Sequence, residues 1–160
     1  MKKSERFCAL GSLYNGENPS SLRQSLESVF NQSLPVPVIL VIDGPISKDL
    51  ENIVSEFEDD IYQIVKLDEN VGLGPALNAG INRVKDDFDY VIRFDTDDIN
   101  LSHRFASLMC AVEEGGFDLV GSHMDEFVDI PSRPYTTRFV PLSRHEILKG
   151  IFWRCPFNHP

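Results

Sequence analysis

Val38-Ile39-Leu40-Val41-Ile42, followed at once by Asp43-Gly44-Pro45, decides the fold class. This unbroken apolar run is rich in β-branched residues and stops at a turn signal, which reads as a strand with no face to turn toward water. A strand buried on both sides belongs in a parallel sheet covered by helices. Toward the N-terminus lies a second apolar run, Phe7–Leu13, ended by the turn Tyr14-Asn15-Gly16. Between the two, Asn18 predicts an N-cap with Pro19 at the first helical position, and Leu22, Leu26, Val29 and Phe30 follow at helical spacing. Toward the C-terminus, Ser47 predicts the cap of a second helix whose stripe is Leu50, Ile53, Val54 and Phe57. Residues 61–67 then read as a third strand ending at Asp68-Glu69-Asn70. A third helix is expected from about Pro75 with Leu77, Ile81 and Val84 on its inner face, and a fourth strand over 90–94. Ser102 is expected to cap a fourth helix carrying Phe105, Leu108, Met109 and Val112, and residues 117–120 read as a fifth strand.

Strand and helix thus alternate four times, the pattern of an α/β fold with a mainly parallel sheet and helices on both faces. After Gly121 the rhythm changes: residues 124–129 and 135–140 read as short strands, and Ser143-x-x-Glu146 as a capping box. With no repeat, low-complexity tract or linker, the expectation is one domain over 1–160.

Composition narrows the partners. The 160 residues hold 15 Lys+Arg against 25 Asp+Glu, a formal net charge of -10, which argues against nucleic acid because duplex binding needs clustered positive charge. No apolar run approaches the roughly 20 residues of a membrane helix, and MKKSERFCALGS is too poor in apolar residues for a signal peptide. Cys8, Cys110 and Cys155 are scattered without CxxC spacing, which predicts reduced core thiols in a cytosolic protein rather than disulfides or a zinc site.

In an open parallel sheet, ligands bind beyond the carboxyl ends of the strands. Those ends carry Tyr14 and Asn15, then Asp43, then Asp68 and Asn70, then Asp95, Asp97 and Asp98. Polar loops also arise simply because such residues cap helices and make turns; four successive strand ends pointing polar groups at one rim favour a site. The sharpest element is Asp95-Thr96-Asp97-Asp98. Strand alternation puts Asp95 and Asp97 on one side and Thr96 on the other. Two carboxylates about 4 Å apart repel by roughly 4 kcal/mol at an effective dielectric of about 20. Such a cluster needs pairing with arginine, for which Arg93 and Arg104 are placed, or a divalent cation such as Mg²⁺ or Mn²⁺ that keeps waters for a substrate's phosphates. An EF-hand does not fit, since the sixth position from Asp95 is Asn100 rather than glycine. Gly72-x-Gly74 lacks the third glycine of a dinucleotide loop and the Lys-Ser/Thr of a P-loop, so it predicts a tight turn into the third helix, whose N-terminus can face a phosphate. There is no GxSxG elbow, and His103, His123, His145 and His159 have no metal spacing.

With these residues in view, the chain resembles the family 2 glycosyltransferases of the GT-A, Rossmann-like fold. The resemblance is carried in order by SLYNGENPSSLRQSLESVFNQSL, VILVIDGP, ENVGLGPALNAGI, VIRFDTDDINLSHRF, DLVGSHMDEF and CPFNHP. Its Asp-Gly-Pro variant and its ending are similar to the amylovoran-type bacterial polysaccharide transferases. The resemblance implies that Tyr14 and Asp43 contact the nucleotide base, and that Asn70 and the turn from Gly72 to Gly74 line the nucleoside side. Ser12 and Asn78 complete the implied nucleotide-sugar-binding set. Asp95 and Asp97 form the Asp-x-Asp pair for ribose and metal, with Asp98 as a further metal ligand; the division of roles among the three stays open. Only one carboxylate of the usual double aspartate is present, as Ile42-Asp43.

The implied reaction is displacement with inversion at the anomeric carbon, from a nucleoside-diphosphate sugar (UDP-sugar favoured) to a hydroxyl of a saccharide or lipid-linked acceptor, in bacterial surface polysaccharide synthesis. The implied cofactor is Mn²⁺ or Mg²⁺. The family's general base lies downstream of the His-Pro at His159-Pro160, so no catalytic base is named. The resemblance therefore implies the donor-binding part of a larger domain, its nucleotide-binding half over about 5–100, inactive without the rest. The implied location is cytoplasmic, with peripheral attachment at the inner membrane face as the variant that a lipid-linked acceptor requires. Three other readings stand beside this one. They are a nucleotide-sugar-binding module without catalysis, a sugar-nucleotide nucleotidyltransferase (whose GxGxR-type loop LGSLYNGEN does not supply), and a phospho-acceptor domain (whose late lysine LVGSH does not supply). The apolar tail from Ile151 to Phe157 is expected to be buried in part.

Overall fold

The all-apolar run Val38–Ile42 forms strand β2, paired on one side with β1 (Phe7–Leu13) and on the other with β3 (Gln63–Lys66); β4 (Tyr90–Arg93) lies beyond β1. All three pairings are parallel, giving the order β3-β2-β1-β4. This computed structural model describes residues 6–128, 131–153 and 155–158. The chain divides into two compact units, Met1–Met109 and Cys110–Pro160.

In the first unit, both faces of β1 and β2 are buried, as a parallel sheet with two covered faces requires. Cys8, Leu10, Ile39 and Val41 share one face with Val65 and pack against Ala76 and Val84 of helix α3 (Leu73–Val84). The inner face of α3 is Ala76, Gly80 and Val84, with half-buried Leu77 packed against the same core; of the expected Leu77, Ile81 and Val84, only Ile81 is exposed. The reason is close approach: a Cβ on Gly80 would lie 2.6 Å from Leu10 and 2.8 Å from Val41, so the smallest residues face the sheet. On the other side of the sheet fall Ala9, Leu13, Val38 and Leu40, equally buried. Helices α1 (Pro19–Phe30) and α2 (Lys48–Glu56) bury Leu22, Leu26, Val29, Leu50, Ile53 and Val54, and are tied by the Arg23–Glu56 ion pair. Asn18 caps α1, its side chain accepting from the Ser20 and Ser21 amides, and Ser47 caps α2 through the Leu50 amide.

The strand order has a functional consequence. The chain builds β1, β2 and β3 in one direction and then returns to place β4 on the far side of β1. That reversal opens a crevice at the carboxyl ends of β1 and β4.

Helix α4 (Arg104–Gly115) begins past the expected Ser102 cap, because the Ser102 carbonyl instead accepts the Ser33 amide. Two further expectations fail in the second unit. Residues 117–120 form no strand, and Phe117 and Leu119 are exposed. An apolar run becomes a strand only where a neighbouring backbone supplies its ladder, and this unit's sheet is the antiparallel pair β5 (Met124–Glu126) and β6 (Thr136–Arg138). Cys110 and Cys155 are exposed rather than core thiols; Cys8 is buried, and burial pushes its thiol up to about 12. The hairpin is held by Thr137 donating to Asp125, Tyr135 donating to Glu126, and an Arg138–Glu126 ion pair. Helix α5 (Arg144–Gly150) has the expected capping box between Ser143 and Glu146. Of the apolar tail, Pro156 is buried and Phe157 half-buried, whereas Phe152 and Trp153 are exposed. His159 and Pro160 lie outside the described residues.

Candidate functional site

The crevice at the switch point holds a cavity of about 420 Å³ within the first unit. Its wall is made by Ser12, Tyr14, Glu17, Asp43, Asn70, Gly72, Leu73, Asp95, Thr96 and Asp97. Pockets of this size suit a small molecule with a few fixed polar groups. Seven of the residues expected to act together, Ser12, Tyr14, Asp43, Asn70, Gly72, Asp95 and Asp97, are on this wall. Gly74, Asn78 and Asp98 are not on it; Asn78 is exposed on α3.

Each side chain is positioned by the end of a strand. The ladder continues beyond β1 and β2, with the Asp43 amide donating to the Leu13 carbonyl at 2.8 Å, so the turn carrying Tyr14 and the start of the Asp43 loop leave the sheet together. Asp43 is buried, and its carboxylate accepts the Val71 amide at 2.8 Å and the Gly72 amide at 3.0 Å. The Asn70 side-chain amide donates back to the Asp43 carbonyl at 3.3 Å. Gly44 completes the junction with φ of 82°. A Cβ there would stand 2.5 Å from the Asn70 nitrogen, so only glycine fits.

Past β4 the chain delivers the acidic cluster. Thr96 points inward and is buried, its hydroxyl 3.2 Å from both the Ser12 carbonyl and the Glu17 carboxylate. Asp97 is exposed at the cavity, and Asp95 is half-buried, its carbonyl accepting the Ser25 hydroxyl. Arg93, on the side that strand alternation predicts, donates to Asp95 at 2.7 Å. Arg104 donates to the Arg93 carbonyl and to the Asn100 side chain. Charge is compressed here. Burial first, then the neighbouring Asp97 and Asp95, push the Asp98 carboxyl up to about 6, although Arg104 and Arg93 pull it down. Burial also draws the Arg104 guanidinium down to about 10 against the opposing pull of Asp98 and Asp95.

Glu17 and Thr96 are wall residues that sequence reasoning did not single out. Glu17 accepts the Asn18 amide with one oxygen and faces Thr96 with the other, joining the turn after β1 to the loop after β4. The only sequence signal for it was a carboxylate directly before a helix cap.

Among the described residues, no group of three or more His, Cys, Asp or Glu is arranged to hold a metal ion, and no helix is long and apolar enough to cross a membrane.

Residues 12–160 match the sequence profile described as Glycosyl transferase family 2. An uncharacterized glycosyltransferase of Haemophilus influenzae is 40% identical over 157 residues, covering 96% of this chain and 58% of its own length. The Escherichia coli UDP-Gal:alpha-D-GlcNAc-diphosphoundecaprenol beta-1,3-galactosyltransferase is 34% identical, covering 97% of this chain and 56% of its own length. The amylovoran biosynthesis glycosyltransferase AmsE of Erwinia amylovora is 38% identical, with 96% and 57% covered. The chain thus spans a little over half the length of these relatives. Among solved structures, Staphylococcus aureus TarS in complex with UDP-GlcNAc superposes with a TM-score of 0.59 at 20% identity, over 68% of this chain and 31% of that one. A Pyrobaculum calidifontis mannosyltransferase in complex with GDP-Man and Mn²⁺ gives 0.53 at 19% identity, over 72% and 34%.

Proposed function

The chain belongs to glycosyltransferase family 2, with the α/β GT-A fold, and from that premise we propose that its cavity binds the nucleoside-diphosphate sugar of an inverting glycosyltransferase. The observation that carries this reading is convergence: residues from the ends of β1, β2, β3 and β4 meet on one cavity, with Asp95 and Asp97 on its wall. The names of the E. coli and Erwinia relatives favour a UDP-sugar donor, a saccharide or lipid-linked acceptor, and a role in surface polysaccharide assembly. A nucleotide-sugar donor and a lipid-linked acceptor together favour a cytoplasmic protein working at the inner face of the membrane.

A divalent cation fits the donor set at the end of β4. Asp95 and Asp97 offer hard carboxylate oxygens at the cavity, and with Asp98 the cluster has three carboxylates against the two neighbouring arginines, Arg93 and Arg104. Mg²⁺ is usually held by one or two carboxylates together with waters and a substrate's phosphates, and Asp95 and Asp97 would supply the carboxylates here. When bound, such an ion supplies positive charge against the charge that grows on a departing diphosphate.

The chain's own residues do the rest of the donor-side work. Asp97 faces the cavity as the ligand with most freedom, while Arg93 fixes one oxygen of Asp95. Thr96 ties the loop to the end of β1 through the Ser12 carbonyl. Tyr14, half-exposed at the rim, offers a ring on which a base can stack, and Asn70 and Gly72 form the opposite wall. In the reaction so implied, an acceptor hydroxyl bonds to the anomeric carbon, the bond to the diphosphate oxygen breaks with inversion, and the hydroxyl proton passes to a general base.

Thermal denaturation with UDP and Mn²⁺ tests the reading. A ligand present at about a hundred times its Kd adds roughly 2.7 kcal/mol, which raises the midpoint of a domain of this size by about 5–10 °C. The rise should vanish with EDTA; no metal-dependent rise with any nucleoside diphosphate would count against it.

A further inference from the structure

Helix α1 carries a polar row where a buried helix face is ordinarily apolar. Ser25 is fully buried, and Gln32, just past the C-cap Asn31, is 6% exposed. Half-buried Ser28 lies between them at helical spacing. A buried polar side chain is costly unless it is hydrogen-bonded, so the partners of this row identify its task. Those partners are mostly main-chain groups of one segment, residues 95–105, which leads from the end of β4 into α4 and carries Asp95, Asp97 and Asp98.

The Ser25 hydroxyl donates to the Asp95 carbonyl at 2.8 Å, and the Asp98 amide donates to that same carbonyl at 3.3 Å, closing the turn on which Asp97 stands. The Ser28 hydroxyl accepts the Asn100 amide at 2.9 Å. Gln32 uses both ends of its side chain. Its NH₂ donates to the Ser28 carbonyl at 2.9 Å and to the Leu101 carbonyl at 3.0 Å, and its oxygen accepts the Phe105 amide at 3.0 Å. The Phe105 amide lies in the first turn of α4, where the helix itself supplies no acceptor, so Gln32 caps α4 from another element. The Ser33 amide adds a bond to the Ser102 carbonyl at 2.7 Å. Residues 94–103 form neither helix nor strand, so their path is held by bonds from outside the segment. Ser25, Ser28 and Gln32 are not on the cavity wall.

We propose that Ser25, Ser28 and Gln32 are positioning residues: through the main chain of residues 95–105 they set where the Asp95 and Asp97 carboxylates stand, and so the uptake of a cation together with a nucleoside diphosphate. The consequence for binding rests on the donor-binding reading; the bonds themselves do not. Gln32 has the largest share, because it joins the loop to α1 and to α4 at once.

The test uses the full chain at a temperature where every variant is folded by circular dichroism. Gln32→Met keeps the length of the side chain and removes its donor and its strong acceptor. Ser28→Ala removes one hydroxyl, and Ser28→Thr keeps it. Val29→Ala is the comparison, since it trims the buried apolar face of the same helix. UDP is titrated calorimetrically in Mn²⁺ and in EDTA. Gln32→Met should weaken binding in Mn²⁺ roughly tenfold, as when about a tenth of the molecules hold the binding arrangement, and Ser28→Ala about threefold. Ser28→Thr should bind like the wild type. Val29→Ala should melt earlier yet bind UDP as the wild type does. Wild-type affinity in Gln32→Met, equal behaviour of Ser28→Ala and Ser28→Thr, or the same loss in Val29→Ala would each overturn the proposal. If Gln32→Met does not fold, the Ser28 pair decides. A second arm needs no ligand: in amide hydrogen exchange, Asn100 and Phe105 should be protected in the wild type, with Asn100 released in Ser28→Ala and Phe105 in Gln32→Met. Free exchange of both amides in the wild type would also overturn it. If the wild type binds no nucleoside diphosphate, the donor-binding reading fails, and the exchange arm still judges the loop bonds.

Discussion

On either side of β1, two strands end in aspartate, and the two ends use their carboxylates in opposite ways. After β2, Asp43 is buried and each oxygen is matched by a backbone amide, so its charge is consumed in joining two loops. After β4, Asp95, Asp97 and Asp98 stand together beside Arg93 and Arg104; burial, then the neighbouring Asp97 and Asp95, raises the Asp98 carboxyl, and burial lowers the Arg104 guanidinium against the pull of Asp98 and Asp95. The first end is satisfied within the protein, and the second keeps negative charge at the cavity. The two ends thus differ in the protein donors that surround their carboxylates: main-chain amides at Asp43, and the Arg93 side chain at Asp95.

That contrast can be broken in three places. The largest effect is expected from Asp97→Ala: the metal-dependent rise in melting temperature with UDP should disappear, while stability without ligand stays within about 0.5 kcal/mol, because Asp97 is exposed. Gly44→Ala attacks the satisfied end. Left-handed backbone costs a side chain about 1–2 kcal/mol, and the contact with Asn70 adds a comparable amount, so urea unfolding should show a loss of about 3 kcal/mol. Asp98→Asn gives the smallest effect and the only one that depends on pH. The Asp98 carboxyl titrates near 6 in the fold against an ordinary 3.8, so the folded state holds that proton more tightly than the unfolded chain. The stability this gives is complete below pH 3.8 and is lost as pH rises through about 6. In chelator, the asparagine variant should therefore exceed the wild type by about 1 kcal/mol at pH 7.5, a value reduced for partial solvent screening. The difference should close toward pH 4.

The contrast also marks how far the sequence could be read. The strands of the first unit were legible because Val38–Ile42 and Phe7–Leu13 are buried on both faces, and a strand without a wet face shows itself in a single run. The caps at Asn18 and Ser47, and the pairing of Arg93 with Asp95, followed from spacing within a few residues. The amides that engage Asp43 lie 28 and 29 positions along the chain, and the Thr96 contact with Glu17 spans 79, so no local pattern carries them. The inner face of α3 was misjudged because hydrophobicity favours Ile81, whereas distance to the sheet selects Gly80. In the second unit, residues 117–120 have the composition of a strand but no ladder, and β-propensity counts only where a neighbour pairs.

The central claim is that the β4 end keeps charge for a cation which the donor's diphosphate helps to hold. Electron paramagnetic resonance of free Mn²⁺ measures this directly, since the ion loses its sharp aqueous signal when bound. The wild-type protein alone should remove little of the signal. Adding UDP should remove it in proportion to protein, well beyond what UDP removes by itself, and Asp97→Ala should abolish that excess. Stoichiometric uptake of Mn²⁺ without nucleotide, or UDP binding of the same strength in EDTA, would contradict the account.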